Sequence, residues 1–212
     1  MPARIFVLAG VNGAGKSSVG GAALVQRKVD YFNPDLAARA LREANPGLSV
    51  EAANAHAWEF GRKGLERALA GGLNFAFETT LGARTIAQML LDGARQGAQI
   101  HLWYAGLSSP ELHLRRVQAR VLAGGHDIPE AKIRERYETS RANLIRLLPH
   151  LASLRVYDNS DEGDPKAGLR PQPVLVLHME GGRIVSHIAL DRVPQWAKPV
   201  MSVALGRAGA VR

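Results

Sequence analysis

Residues 10–17 read Gly10-Val-Asn-Gly-Ala-Gly15-Lys16-Ser17, the pattern G-x-x-x-x-G-K-S/T. It follows an apolar run, Ile5 to Ala9, that reads as a strand, and it opens a helix-period stretch. A phosphate chain needs many donors at close range. Glycines let backbone N–H groups approach it, and a helix N-terminus adds favourable partial charge. Gly10, Asn12, Gly13, Ala14, Gly15, Lys16, Ser17 and Ser18 are therefore the expected nucleotide-binding set, with Lys16 reaching the β- and γ-phosphates. Ser17 is expected to offer its hydroxyl to Mg²⁺, an ion that takes its other ligands from water and the nucleotide. ATP and Mg²⁺ are the cofactors this loop predicts. It does not choose between hydrolysis, phosphoryl transfer and switching.

In a parallel sheet the ligand site lies beyond the carboxyl ends of the strands. The second expected strand ends in Asn33-Pro34-Asp35 and the third in Glu78-Thr79-Thr80. Asp35 is placed to orient an acceptor hydroxyl and take its proton, or else to sit in the acidic first turn of a capped helix. Glu78 and Thr80 suit a polar acceptor. Glu78 alternatively holds metal-bound water.

From Arg115 to Arg146 the chain carries Arg115, Arg116, Arg120, Arg134, Arg136, Arg141 and Arg146, divided by Gly124-Gly125-His126-Asp127-Ile128-Pro129. Two arginine-bearing helices flanking a glycine turn suit a lid that closes over ATP and brings guanidinium forks onto phosphate. Glu130, Glu135 and Glu138 offer competing salt-bridge partners on the same helices.

The elements that must hold these residues follow from periodicity. Ile5–Ala9, Val29–Phe32, Leu73–Phe77, Ile100–Ala105 and Leu154–Tyr157 are strand-like and alternate with helix-period segments. That predicts an α/β fold with a parallel sheet of about five strands and helices on both faces. Val174–His178, Gly181-Gly182 and Ile184–Ile188 read as a β-hairpin added to the sheet edge. Residues 1–160 are expected to form a P-loop core with the lid near 110–148. Residues 161–212 are read as a linker, hairpin and tail packed on the same domain, the tail loosely held from Pro194 onward.

The chain has 212 residues, no cysteine and a net charge of +8. Disulfides, thiolate metal sites and a cysteine nucleophile are excluded. The apolar run at the N-terminus is too short for a signal peptide or membrane span, so a cytoplasmic protein is expected. The basic balance favours anionic partners, among them nucleotides and nucleic acid. Trp58, Trp103 and Trp196 are not interleaved with basic runs, and no groove-binding motif appears, so nucleic acid is the weaker partner.

Taken together, Gly10 to Ser18, Asn33-Pro34-Asp35, Phe77-Glu78-Thr79-Thr80-Leu81, and Arg120-Val121 with Gly124-Gly125-His126 resemble the zeta toxin family of P-loop kinases, over residues 1–160. The resemblance implies a nucleotide-kinase-like fold and a kinase that uses ATP and magnesium to phosphorylate a hydroxyl, in the toxins that of the sugar of UDP-N-acetylglucosamine. It implies Asp35 as base, Lys16 on the transferring phosphate, and Glu78 and Thr80 facing the acceptor. Arg120 and Arg134 would be catalytic lid residues, with Arg136 competing for the grip on ATP, and an antitoxin protein a possible partner. One position departs from the family's pattern. The arginine expected after Leu81 is replaced by Gly82, and Arg84 follows two residues later. The alternatives to a small-molecule kinase are an ATP-dependent nucleic-acid binding or end-processing kinase, and a partner-regulated nucleotide-binding protein without transfer activity.

Overall fold

The computed structural model describes residues 1–25, 31–163 and 172–210. Strand β1 (Arg4–Ala9) lies inside the sheet, and every residue after Arg4 is buried. That near-continuous apolar run is what a strand covered on both faces requires. It pairs in parallel with β3 (Asn74–Thr79) on one side and β4 (Gln99–Gly106) on the other. Beyond β3 lies the two-residue β2 (Tyr31–Phe32), and beyond β4 lies β5 (Ser153–Asp158), both parallel. The antiparallel β6 (Val174–Glu180) and β7 (Arg183–His187) extend the sheet to seven strands in the order β2-β3-β1-β4-β5-β6-β7. The five parallel strands and the edge hairpin are those the sequence predicts. The first two residues of the expected Val29–Phe32 strand lie outside the described residues, as does much of the exposed connection expected between Asp161 and Pro173. Gly181 and Gly182, with φ of 54° and 77°, form the tight turn between β6 and β7, a backbone that two glycines adopt without strain.

Seven α-helices are described: α1 (Lys16–Val25), α2 (Pro34–Ala44), α3 (Val50–Gly71), α4 (Arg84–Arg95), α5 (Pro110–Leu122), α6 (Glu130–Leu147) and α7 (Lys198–Ala210). Ser49 and Ser109 cap α3 and α5 through their hydroxyl oxygens, satisfying N–H groups that a helix start leaves free. The main core joins Ile5 and Val7 of β1 to Leu90 of α4, Leu144 of α6 and Val200 of α7. On the opposite face Phe6, Leu8, Ala76 and Trp103 cluster, and α1 approaches so closely that a Cβ on Gly20 would stand 2.4 Å from Leu8.

The expectation of a loosely held tail is corrected. Trp196, Ala197, Val200, Met201 and Ala204 are all buried, at the spacing of one helix face. Trp196 donates its indole N–H to Asp158 Oδ1 (3.0 Å) and lies over Gly106, where a Cβ would be 2.3 Å from the ring. Proline and glycine on either side of this segment concealed its helical period. No described helix is long and apolar enough to cross a membrane.

Candidate active site

The loop after β1 begins at Gly10, whose φ of 147° and whose backbone, where a Cβ would stand 2.4 Å from the Ala105 carbonyl oxygen, admit only glycine. The chain then curls so that Lys16, the first residue of α1, returns its ammonium to the Gly10 carbonyl (2.9 Å). The same Nζ lies 3.2 Å from Glu78 Oε1 at the end of β3, and Lys16 is buried. Ser17 and Ser18 stay exposed in the first turn of α1. Glu78 is satisfied from three directions, because Oε2 also accepts from the Tyr31 hydroxyl and from Asn33 Nδ2 (3.0 Å). Burial and the adjacent carboxylate push the Tyr31 phenol well above its ordinary value, so it stays a donor.

Two buttresses hold the loop from behind. His113, in the first turns of α5, places Nδ1 2.8 Å from the Asn12 carbonyl. A carbonyl only accepts, so Nδ1 carries the proton. Burial pushes this imidazole down to about 4, keeping it neutral. Asn159, just past β5, donates from Nδ2 to the Ala14 carbonyl (2.9 Å), and its own N–H bonds the Gly106 carbonyl. Sequence reasoning missed His113, Asn159 and Tyr31. The signal for Asn159 was available, since it sits immediately beyond a strand's carboxyl end, the kind of position inspected only for the second and third strands.

In front of the loop lies a cavity of about 400 Å³ whose walls include Asp35, Glu78, Thr80, Trp58 and Arg136. The structure thus brings Asp35, Glu78 and Thr80 together. Asn33 Oδ1 caps α2, accepting from the N–H groups of Asp35 and Leu36, which leaves the Asp35 carboxylate free of capping duty. A space of about 650 Å³ shares Asp35, Asn54 and His126 with this cavity and carries Arg39, Arg42 and Arg120. Arg120 Nη1 is 3.9 Å from Asp35 Oδ2, and its Nη2 holds the His126 carbonyl at 3.1 Å, tying the glycine turn to its helix. A larger groove of about 1190 Å³ between α2 and α3 lies beyond Phe32, with walls mainly of alanine, leucine and phenylalanine.

Two of the other arginines in this segment, Arg134 and Arg136, divide sharply. Arg134 points away from the cavity, its Nε bound to Glu130 (2.8 Å) and its Nη1 to Glu111 (2.7 Å), both at the surface. It was expected beside Arg120 over phosphate; here its Nε and Nη1 are held by two surface carboxylates and it is not part of the cavity wall. Arg136 is half-buried and reaches Asn12 Oδ1 of the phosphate loop at 2.9 Å. Burial lowers its basicity, and it forms no ion pair with any described residue. Arg84 is exposed and contributes nothing to the cavity wall. The turn before α4 is fixed from α6: Ser140 donates to the Thr80 carbonyl (2.7 Å) and Asn143 to that of Leu81 (2.9 Å), whose φ of 55° is strained for a side chain.

Among the described residues no group of three acidic, histidine or cysteine side chains could cage a metal.

Comparison with known proteins places this geometry. A protein of Haemophilus influenzae with no assigned function is 30% identical over 142 residues, which cover 65% of this chain and 94% of the relative. Among solved structures, the AvrRxo1-ORF1:AvrRxo1-ORF2 complex with sulphate ions matches with a TM-score of 0.64 at 17% identity over 96% of this chain. This chain spans 64% of the length of that one. The PezAT chromosomal toxin–antitoxin system of Streptococcus pneumoniae matches with a TM-score of 0.56 at 14% identity, over 99% of this chain and 87% of that one. These likenesses show a shared α/β fold. The family model described as an AAA domain matches residues 5–142, the span that carries the phosphate loop, the cavity and most of the lid, and the chain belongs to that family.

Proposed function

We propose that the protein is an ATP- and Mg²⁺-dependent small-molecule kinase that moves the γ-phosphate of ATP to a hydroxyl group held in the 400 Å³ cavity. One observation carries this reading: Asn12 of the phosphate loop lines the cavity, and Glu78 of the cavity wall lies 3.2 Å from Lys16 of the loop. A phosphate on the loop therefore faces whatever occupies the cavity. The cavity's size suits a metabolite rather than a polynucleotide end. A neighbour of the same fold, the AvrRxo1-ORF1:-ORF2 complex, has been crystallised with ATP, which accords with ATP as donor here.

In this mechanism the backbone N–H groups of Gly13 to Ser18 and the Lys16 ammonium hold the phosphates. The Ser17 hydroxyl would hold Mg²⁺, which would supply positive charge against that of the phosphates. Asp35 orients the acceptor hydroxyl and takes its proton as the oxygen bonds to the γ-phosphorus. The bond from that phosphorus to the bridging oxygen breaks, and ADP leaves. Such transfer is mostly positioning and charge stabilisation. Arg136 and Arg120 supply that charge at the junction of loop and cavity, in place of Arg134. Glu78 and Thr80 hold the acceptor. The first acceptor class to test is a nucleotide sugar, as in zeta toxins, and an antitoxin-like partner belongs to the same reading, since the PezAT neighbour is a toxin–antitoxin system.

The test is mass spectrometry of nucleotide sugars, sugar phosphates and nucleoside monophosphates after incubation with the protein, ATP and Mg²⁺, with Asp35→Asn as control. One acceptor gaining a phosphate only with the unaltered protein is the expected result. Full transfer by Asp35→Asn removes Asp35 from the mechanism, and ATP binding without any modified acceptor counts against a kinase.

A further inference from the structure

We propose that the acceptor is a ring compound that stacks on Trp58, an inference that rests on the kinase reading above. The chain has three tryptophans. Trp103 and Trp196 lie in the core at 2% and 3% exposure, whereas the side chain of Trp58 forms part of the cavity wall and the residue is 43% exposed. An indole left in water forgoes the burial of a large apolar surface. Nothing in the packing of α3 requires it, because the buried face of that helix is Ala53, Ala57, Gly61, Leu65 and Ala68.

The neighbours of Trp58 leave its ring available. Asn54, Trp58 and Arg62 follow one another at four-residue intervals on α3, and all three line the cavity. Arg62, the cation best placed to cover the indole, is engaged by Glu59 at 2.7 Å and Glu66 at 3.2 Å instead. Among the described residues, no aromatic ring or guanidinium packs on Trp58. The same wall thus offers a flat apolar face and, one turn away, the Asn54 amide with both donor and acceptor capacity. A pyranose with its C–H face and a nucleobase with its π-face share the chemistry that fits this surface. An open-chain polyol lacks a flat face to present.

The test follows tryptophan emission, with Trp58→Phe identifying the part that Trp58 contributes. The protein, with Mg²⁺ and a non-hydrolysable ATP analogue, is titrated with three probes that each carry one phosphate: glucose 1-phosphate, uridine 5′-monophosphate and glycerol 3-phosphate. A saturable change with one or both ring probes, none with glycerol 3-phosphate, and loss of the signal in Trp58→Phe is the expected pattern. It also tells sugar from base. In turnover, Trp58→Ala raises KM for the ring acceptor roughly ten-fold, in line with the worth of one stacked base, and leaves KM for ATP unchanged, while Trp58→Phe recovers most of the loss. A purely structural tryptophan would shift both KM values and the melting temperature together. The proposal is overturned if glycerol 3-phosphate perturbs the emission as much as the ring probes, if neither ring probe perturbs it, or if Trp58→Ala leaves KM for a ring acceptor unchanged. Saturable ring binding with no ATP consumed for any acceptor would instead sink the kinase reading and leave the ring site standing.

Discussion

A Cβ on Gly82 would stand 2.7 Å from Cγ of Arg136 and 3.2 Å from its Cβ. The bare backbone at Gly82 is what lets α6 lay Arg136 against the turn after β3 and aim it at Asn12 of the phosphate loop. Gly82→Val is expected to displace Arg136 and destabilise the protein by about 1–3 kcal/mol. Arg136→Ala is expected to lower kcat as much as Gly82→Val does, and the double variant to lose little more, as two changes acting through one contact should. Steady-state kinetics on the three variants, with denaturant unfolding alongside, check this. Additive losses in kcat would separate the two residues.

Lys16→Ala removes the only cation paired with the largely buried Glu78 carboxylate among the described residues. ATP affinity and transfer are both expected to collapse. Stability falls too, by up to roughly 3 kcal/mol, the cost of leaving one half of a buried pair. Adding Glu78→Gln is expected to restore much of the stability and none of the ATP binding. Calorimetry for ATP and urea melts for stability separate the two effects.

The buried imidazole of His113 ties stability to pH. Its folded value of about 4 lies below its ordinary 6.5, so between these values the unfolded chain binds the extra proton. The contribution, about 3 kcal/mol, is fully present above about 6.5 and is lost as pH falls toward 4. His113→Gln is expected to flatten that part of the profile. Unfolding free energies measured at intervals from pH 7.5 to 4.5 show whether it does.

Asn159→Asp replaces a donor that holds the Ala14 carbonyl with a carboxylate that repels both it and a bound phosphate. ATP affinity is expected to fall more than ten-fold, since about 1.4 kcal/mol corresponds to one decade. Asn159→Ala is expected to weaken it less. Titration calorimetry at low and high salt distinguishes charge repulsion, which salt screens, from loss of loop support, which it does not.

The parallel strands and the phosphate loop were legible in the sequence because each is local: an apolar run, a glycine spacing, a lysine at a helix start. Asp35, Glu78 and Thr80 were legible through a topological rule, that ligands gather where parallel strands end. What escaped depended on partners far along the chain. Near Arg134 and Arg136 the sequence offers only Glu130, four residues before Arg134, as a sign of which faces the loop. Glu111, 23 residues before Arg134, claims one, and Gly82, in the turn before α4, admits the other. His113 and Asn159 lie 101 and 145 residues from the loop carbonyls they hold, and only the closed fold brings them there. The tail was misjudged for a different reason. Its helical period runs between proline and glycine, and the indole that anchors it finds its socket over Gly106 in another element.

β1, between β3 and β4, divides the site into two halves that are written differently in the chain. Apart from Asn12, His126, Ile128 and Arg136, every residue around the 400 Å³ cavity falls between Phe32 and Ile86. The supports behind the phosphate loop come instead from α5 and from the end of β5. On the proposed kinase reading, acceptor choice is therefore encoded mainly in one stretch, from Phe32 to Ile86, while the phosphate loop and its supports lie outside that stretch. Such a chain could be retuned to a new acceptor largely within a single segment of sequence.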